Sequence, residues 1–544
     1  MLVDARQLED GSHTASEVCI VGAGPAGLAI ALELAGGPWR VCLVESGGLA
    51  ADAWTEDLTR LGADGDFFPP ENARRRQLGG TANVWDVRVT RDGGACRFVP
   101  LDEVDFETRA GVPHSGWPLS YRDLAPFYAR ALRRCGVDGA SFRLEDCVAP
   151  GFTALPLDGA RVVTSIERFG PADVFTRHAR ETLERAPNLT VMLHATALAL
   201  DAPADGGAVT CVQVACAGGR RHTIGAALFV LAAGGIENPR LLLLSTASRP
   251  AGLGNRHDLV GRFFMDHHNV RAGFLVPADR RLLEATALYD LRQVRGAPVM
   301  AKLRVAEGLR REARLLNAAA RLEPGRVPHL MRTRRSFARR SDLSRAALAG
   351  VLARDVVADV PGLAAGALRA LAPRSARGLY GWSELRAKRW RFDGFYVELQ
   401  VEHGPDPENR VRLGGEQDAL GLPRAAVHWR WTTLDLDSLQ RTQRILAEEC
   451  ARAGVGRLVL PPSDAPPVTT AAGGIHHHMG TTRMHDDERS GVVDADCRVH
   501  GVRNLFVAGS SVFPTGGYAN PTLTIVALAI RLAEHLKHLM RPLA

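Results

Sequence analysis

The stretch that decides the fold is Val18-Cys19-Ile20-Val21-Gly22-Ala23-Gly24-Pro25-Ala26-Gly27-Leu28-Ala29-Ile30-Ala31-Leu32-Glu33-Leu34, followed by Val41-Cys42-Leu43-Val44-Glu45. Val18 to Val21 reads as a short buried strand, and the run from Leu28 as the helix that leaves it. Between them stand three glycines, each with its own steric task. Gly22 permits the tight turn, Gly24 lets backbone approach a pyrophosphate, and Gly27 removes the side chain where helix packs on strand. Pro25 and Ala26 lie inside the same turn. A pyrophosphate there meets unpaired amides and the positive end of the helix dipole. Glu45, 18 residues beyond Gly27, closes the second strand near the expected ribose-binding position. A glycine triplet alone also occurs in purely structural turns. With two flanking strands and a spaced acid, it predicts a dinucleotide-binding βαβ unit. An acid at that strand end also disfavours a cofactor carrying a 2′-phosphate there.

The same strand-into-glycine pattern returns at Leu228-Phe229-Val230-Leu231-Ala232-Ala233-Gly234-Gly235 and at Asn504-Leu505-Phe506-Val507-Ala508-Gly509. Distant segments therefore return to one large folded domain. Helices are expected over Asp123–Leu132, Thr176–Arg185, Ile236–Leu244, Leu434–Ala453 and from Pro521 to about His535. Strands are expected over Val191–Leu200, Thr210–Ala215, Trp390–Glu402, Arg410–Leu413 and Ala426–Trp431. The middle third is thus α+β. The Ala318–Leu371 region, rich in Ala, Leu and Arg, is expected to be a helical insertion, either solvated or bordering substrate entry or a partner. The arginine run Arg74-Arg75-Arg76 reads as solvated surface or an anion site.

The 544 residues suffice for two or more domains with deep cores, and 46% apolar with 23% charged residues is ordinary for a globular protein. The net charge of +7 is scattered among 60 acids, without the basic–aromatic interleaving that recognises nucleic acid. The nine cysteines include no Cys-x-x-Cys pair and give no disulfide framework, so zinc and iron–sulfur ligation are not expected. A polar, acidic N-terminus without an apolar signal core, and no run long enough to cross a bilayer, lead us to expect a cytoplasmic protein; export by a partner subunit stays open.

The densest polar constellation is His476-His477-His478-Met479-Gly480-Thr481-Thr482-Arg483. Adjacent residues on extended backbone point to opposite faces, which suits a single metal ion poorly. Structural packing and acid–base chemistry are both open to these histidines from their residue types alone. Downstream, Asn520-Pro521-Thr522 opens the last helix, with Asn520 as a candidate N-cap and proline near the first turn.

Taken together, Gly22–Gly27 with Glu45, Leu78–Trp85, Ser115–Tyr121, Val260–His267, His476–Met484 and Asn504–Thr524 closely resemble the glucose–methanol–choline flavoprotein oxidoreductases. The resemblance covers nearly the whole chain. It implies an α/β, Rossmann-like FAD-binding domain with an interleaved α+β substrate domain built on an antiparallel sheet. The corresponding division places 1–150, 190–300 and 474–544 in the FAD-binding domain, and 151–189 and 301–473 in the substrate domain. It also implies that Gly79, Gly80, Asn83, Val84, Gly234, Gly509, Asn520, Pro521 and Thr522 approach the cofactor. The catalytic histidine of the family falls on His477, in a His-x-x-Gly-Thr pattern, and its second catalytic position falls on Asn520. Several relatives attach FAD through a histidine at the position of Val84, which has no nucleophile, so noncovalent FAD is expected. The implied reaction takes an alcohol CH–OH to a carbonyl: His477 accepts the hydroxyl proton, hydride goes to flavin N5, and Asn520 binds the alcohol oxygen. The expected substrate is a sugar, glycoside or polyol, with a non-sugar alcohol as the alternative. The expected electron acceptor is oxygen, a quinone or another carrier, with an electron-transfer partner or homo-oligomer open.

Overall fold

The computed structural model describes residues 1–67, 73–85, 87–88, 94–148, 153–279, 281–294, 296–325, 382–384, 392–470 and 476–541. The strand His13–Val21, helix Pro25–Leu34 and strand Val41–Val44 form the expected βαβ unit. His13–Val21 lies at the centre of an eight-stranded sheet, parallel to both Val41–Val44 and Arg221–Leu231. Leu505–Val507 joins that sheet parallel to Phe229–Leu231, so a segment nearly five hundred residues downstream returns to the sheet one strand away from His13–Val21. The strands are apolar on both sides because helices cover both faces. Val18, Ile20, Leu43, Phe229 and Leu231 have at most 1% exposure, within one continuous core that includes the C-terminal helix Thr522–Leu539.

Among the described residues the second sheet has nine strands, and every pairing in it is antiparallel. Its middle runs Gly394–Val401, Ala318–Gly325, Ala297–Val305, Val162–Pro171 and Gly94–Phe98. A three-stranded sheet of Arg410–Gln417, Pro423–Trp429 and Gly62–Gly65 packs nearby around Phe264 and Trp429. The fold class expected from sequence is therefore present.

Several local expectations change. Ala318–Gly325 is a central strand, not the start of a helical insertion, because its alanines fit between the bulkier strands on either side. Residues 326–371 of that proposed insertion lie outside the described residues. Gly94–Phe98 and His268–Pro277 pair within the antiparallel sheet. Pro521, not Asn520, occupies the N-cap position of Thr522–Leu539. Arg74 and Arg76 are largely buried and both pair with Glu237, so the arginine run is neither solvated surface nor a ready anion site. All nine cysteines are free, and no described helix is long and apolar enough to cross a membrane.

Candidate active site

The nucleotide turn is assembled from backbone. Gly22 has φ +106°, and a Cβ there would lie 2.6 Å from the Ala232 carbonyl oxygen. At Gly27 an added Cβ would come within 1.9 Å of the Gly22 oxygen, which explains glycine at both positions by the fold itself. Gly24 is different. Its backbone is in an ordinary extended conformation, and a Cβ would meet no atom of the described residues within 4 Å. Neither its conformation nor a described neighbour explains the glycine, and its backbone lies open at the start of the helix. Helix Pro25–Leu34 has no side-chain cap, which leaves its first amides to serve an anion.

Other expected cofactor residues converge on this turn. The Gly79 N–H donates to the Ala23 carbonyl at 2.9 Å, laying the Gly80–Val84 turn across it, and a Cβ at Gly80 would lie 2.9 Å from Gly24 Cα. Asn83 donates to the Leu78 and Gly80 carbonyls, so its amide holds the loop's own shape. Gly509, at φ +109°, approaches the Ala26 methyl. Gly234, at φ +88°, follows the Ala232 and Ala233 that pack on Gly22 and has open space at its Cβ position. Glu45 is buried and accepts from Ala23 N–H and Gly47 N–H, both at 2.9 Å. Its visible task is to brace the phosphate turn, and burial raises its pKa. The arrangement fits the diphosphate of a dinucleotide: open backbone, uncapped amides and small residues at one sheet end.

His477 and Asn520, 43 residues apart in sequence, enter one polar cluster. His477 Nδ1 lies 3.0 Å from His267 Nδ1, with the rings nearly perpendicular. His267 Nε2 lies 2.8 Å from the Gly517 carbonyl oxygen. Asp266 is fully buried and accepts the backbone N–H groups of both His267 and His477, joining the two segments. On the other side, Gln400 Nε2 donates to the Tyr518 carbonyl and to Asn520 Oδ1, at 2.9 and 3.2 Å, and lies 3.5 Å from His267 Nδ1. Arg97 also donates to Asn520 Oδ1, at 3.4 Å. With Oδ1 so occupied, the Asn520 amide keeps its N–H donors for another oxygen.

The antiparallel sheet holds this arrangement with buried charge. Gln400 Oε1 accepts from Arg97 and from Lys302, each at 3.0 Å, and both cations pair with Glu167. These four side chains come from four strands of one sheet. Small Ala319 stands opposite Gln400 on the intervening strand and lets Lys302 reach across. Lys302 is 2% exposed, and burial, reinforced by Arg97, lowers its pKa to about 7. Burial, then the neighbouring His267, His476, Arg97 and His478, holds the His477 pKa well below 6.5. It is therefore a neutral base near pH 7.

The flanking histidines are placed differently. His476 is exposed, and His478 is buried against Phe67 and Phe264. Burial, with Arg74 nearby, lowers the His478 pKa to about 3, so it stays neutral. Among the described residues no group of three or more His, Cys, Asp or Glu is arranged to hold a metal ion. His267, Gln400, Arg97, Lys302, Glu167 and Asp266 were not assigned roles from sequence. His267 and Asp266 did lie in the Val260–His267 segment, but the other four are single polar residues in alternating strands.

A family model described as GMC oxidoreductase matches residues 405–529. The chain is 26% identical to a paromamine 6'-oxidase of Streptomyces fradiae across 95% of this chain and 90% of that protein. It is 38% identical to a C-glycoside 3-oxidase of Arthrobacter globiformis over 131 residues, a region spanning 24% of each protein. The fold also superimposes on Aspergillus oryzae formate oxidase with a TM-score of 0.54 at 18% identity, covering 98% of this chain and 99% of that one.

Proposed function

The chain belongs to the glucose–methanol–choline family of FAD-dependent oxidoreductases, and from that premise we propose that it oxidises one CH–OH group of a sugar, glycoside or other polyol. FAD, when bound, supplies the acceptor for the hydride that leaves the carbinol carbon. The protein's own residues manage the proton and the oxygen. His477 takes the hydroxyl proton as the carbonyl forms, and Asn520 donates a hydrogen bond to the oxygen as negative charge develops on it. The observation that carries this reading is the shared cluster: His267 and Gln400 connect His477 to Asn520, and Asn520 Oδ1 is already engaged. The sugar assignment draws on the similarity to a C-glycoside 3-oxidase and a paromamine 6'-oxidase.

Gly22, Gly24, Gly27, Ala26, Gly79, Gly80, Gly234 and Gly509 would hold the dinucleotide, with Pro25, Glu45, Asn83, Val84, Pro521 and Thr522 bordering it. We assign the cofactor a noncovalent attachment because Val84 offers no nucleophile. Denaturation followed by size separation should release the flavin, and colour remaining on the polypeptide would overturn that assignment. The test of the chemistry is His477→Ala. It should retain FAD yet slow anaerobic flavin reduction by about 10²–10⁴-fold, the usual worth of a positioned base. His476→Ala should reduce at close to the parent rate. Parent-like reduction by His477→Ala would refute its role.

A further inference from the structure

We infer that His267 is a positioning residue that dictates which ring nitrogen of His477 carries the proton, leaving His477 Nε2 as the basic atom. The inference rests on the reading of His477 as the base. It follows from the donor and acceptor roles along one chain of contacts. The Gly517 carbonyl can only accept, so His267 Nε2, at 2.8 Å, must carry a hydrogen. Neutral imidazole has a single N–H, so His267 Nδ1 is then an acceptor. The contact at 3.0 Å between the two Nδ1 atoms therefore requires His477 Nδ1 to donate. Neutral His477 has no second proton, and Nε2 is left with its lone pair.

The anchor of this chain is itself held. The Gly517 N–H donates to Glu402 Oε1 at 3.2 Å, and Glu402 makes a bidentate pair with Arg109. Gly517 adopts φ +54°, and a Cβ there would lie 2.4 Å from Asp105 Oδ2, so the loop has little room to turn its carbonyl away. Gln400, fixed by Arg97 and Lys302, offers a second, longer N–H to His267 Nδ1, consistent with that atom being an acceptor. His267 is 2% exposed, and burial lowers its pKa to about 4, with His403, Glu402 and Lys302 facing it. It stays neutral, and so keeps the single-proton logic, across the pH range where His477 acts. Among the described residues, the charged or titratable groups acting on His477 include His267, His476, His478 and Arg97, with Asp266 accepting its backbone N–H.

The experiment compares the parent with His267→Leu and His267→Asn. Leucine removes the acceptor, whereas the asparagine Oδ1 retains one on a shorter side chain. In ¹⁵N-histidine-labelled protein, His477 should show a protonated Nδ1 in the parent and a mixed tautomer in His267→Leu. Its signals are identified by their loss in His477→Ala. In anaerobic stopped flow, His267→Leu should lower the limiting rate of flavin reduction by about 10- to 10³-fold with little change in substrate affinity. His267→Asn should recover most of the rate. A protonated Nε2 on His477 in the parent would overturn the inference. So would parent-like reduction and tautomer in His267→Leu while His477→Ala is slow, an outcome that leaves the base assignment standing. Parent-like reduction by His477→Ala would remove the base and this inference together.

Discussion

At the ends of the parallel strands, Gly22 and Gly27 let backbone pack against backbone, while Gly24 and Gly509 leave theirs open. On the antiparallel sheet, Arg97, Glu167, Lys302 and Gln400 present buried side chains from four separate strands. The first region is built from groups every residue possesses, and its side chains are specified by what must be absent. The second is built from groups that must be present and must satisfy one another, since an unpaired buried charge is costly. The core of the backbone turn is local in sequence, with Gly79, Gly80 and Gly509 brought to it, whereas the charge network is gathered wholly from separate strands.

Valine substitutions within the glycine turn should break that contrast most completely if it is misconceived. At Gly24 an added Cβ meets no atom of the described residues within 4 Å, so Gly24→Val should fold with a thermal midpoint near the parent's but purify colourless and inactive. Gly27→Val places its Cβ against the Gly22 oxygen and should destabilise the fold itself. Flavin content and thermal midpoint measured on both proteins separate the two cases. Equal flavin loading in Gly24→Val would remove the argument that a ligand demands that glycine.

Asn520→Ala probes the other region with the next largest effect. Losing a donor to developing negative charge should slow flavin reduction by about 10²–10³-fold. Because Pro521 holds the N-cap position, no helix cap is lost, and the thermal midpoint should change little. A large fall in stability with a parent-like rate would recast Asn520 as structural.

Much of the nucleotide half was legible because its determinants are contiguous: an apolar strand, three glycines at fixed spacing and an acid at the next strand's end. His477 and Asn520 were singled out only through resemblance, since three consecutive histidines read equally as packing or acid–base chemistry. Geometry separates them, exposing His476, packing His478 on two phenylalanines and turning His477 toward His267. Gln400, Lys302 and Glu167 were not legible. Each is one polar residue in an alternating strand, and nothing local reports that its partners come from other strands. Ala318–Gly325 was misread for a related reason: an alanine run favours helix in isolation, but the sheet needs small residues beside long ones.

Lys302→Met gives a smaller, sharper test of the supporting network. It removes one cation from Glu167 and one donor from Gln400, while Arg97 still serves both. Flavin reduction should slow by about tenfold, within the range by which losing a hydrogen bond to a charged group shifts an equilibrium. FAD content should not change. A parent-like rate would mean that Arg97 alone fixes Gln400.

The most direct measurement is anaerobic mixing of the purified holoprotein with a panel of pyranoses, glycosides, polyols and simple alcohols, followed by flavin absorbance without added nicotinamide. The account expects a yellow protein bleached by at least one sugar-type alcohol, with the matching carbonyl product formed in equal amount to the reduced flavin. Admitting oxygen or a quinone afterwards should restore the colour and identify the acceptor. Bleaching only by non-sugar alcohols would contradict the substrate assignment. A protein that carries flavin but is bleached by no alcohol in the panel would contradict the central claim.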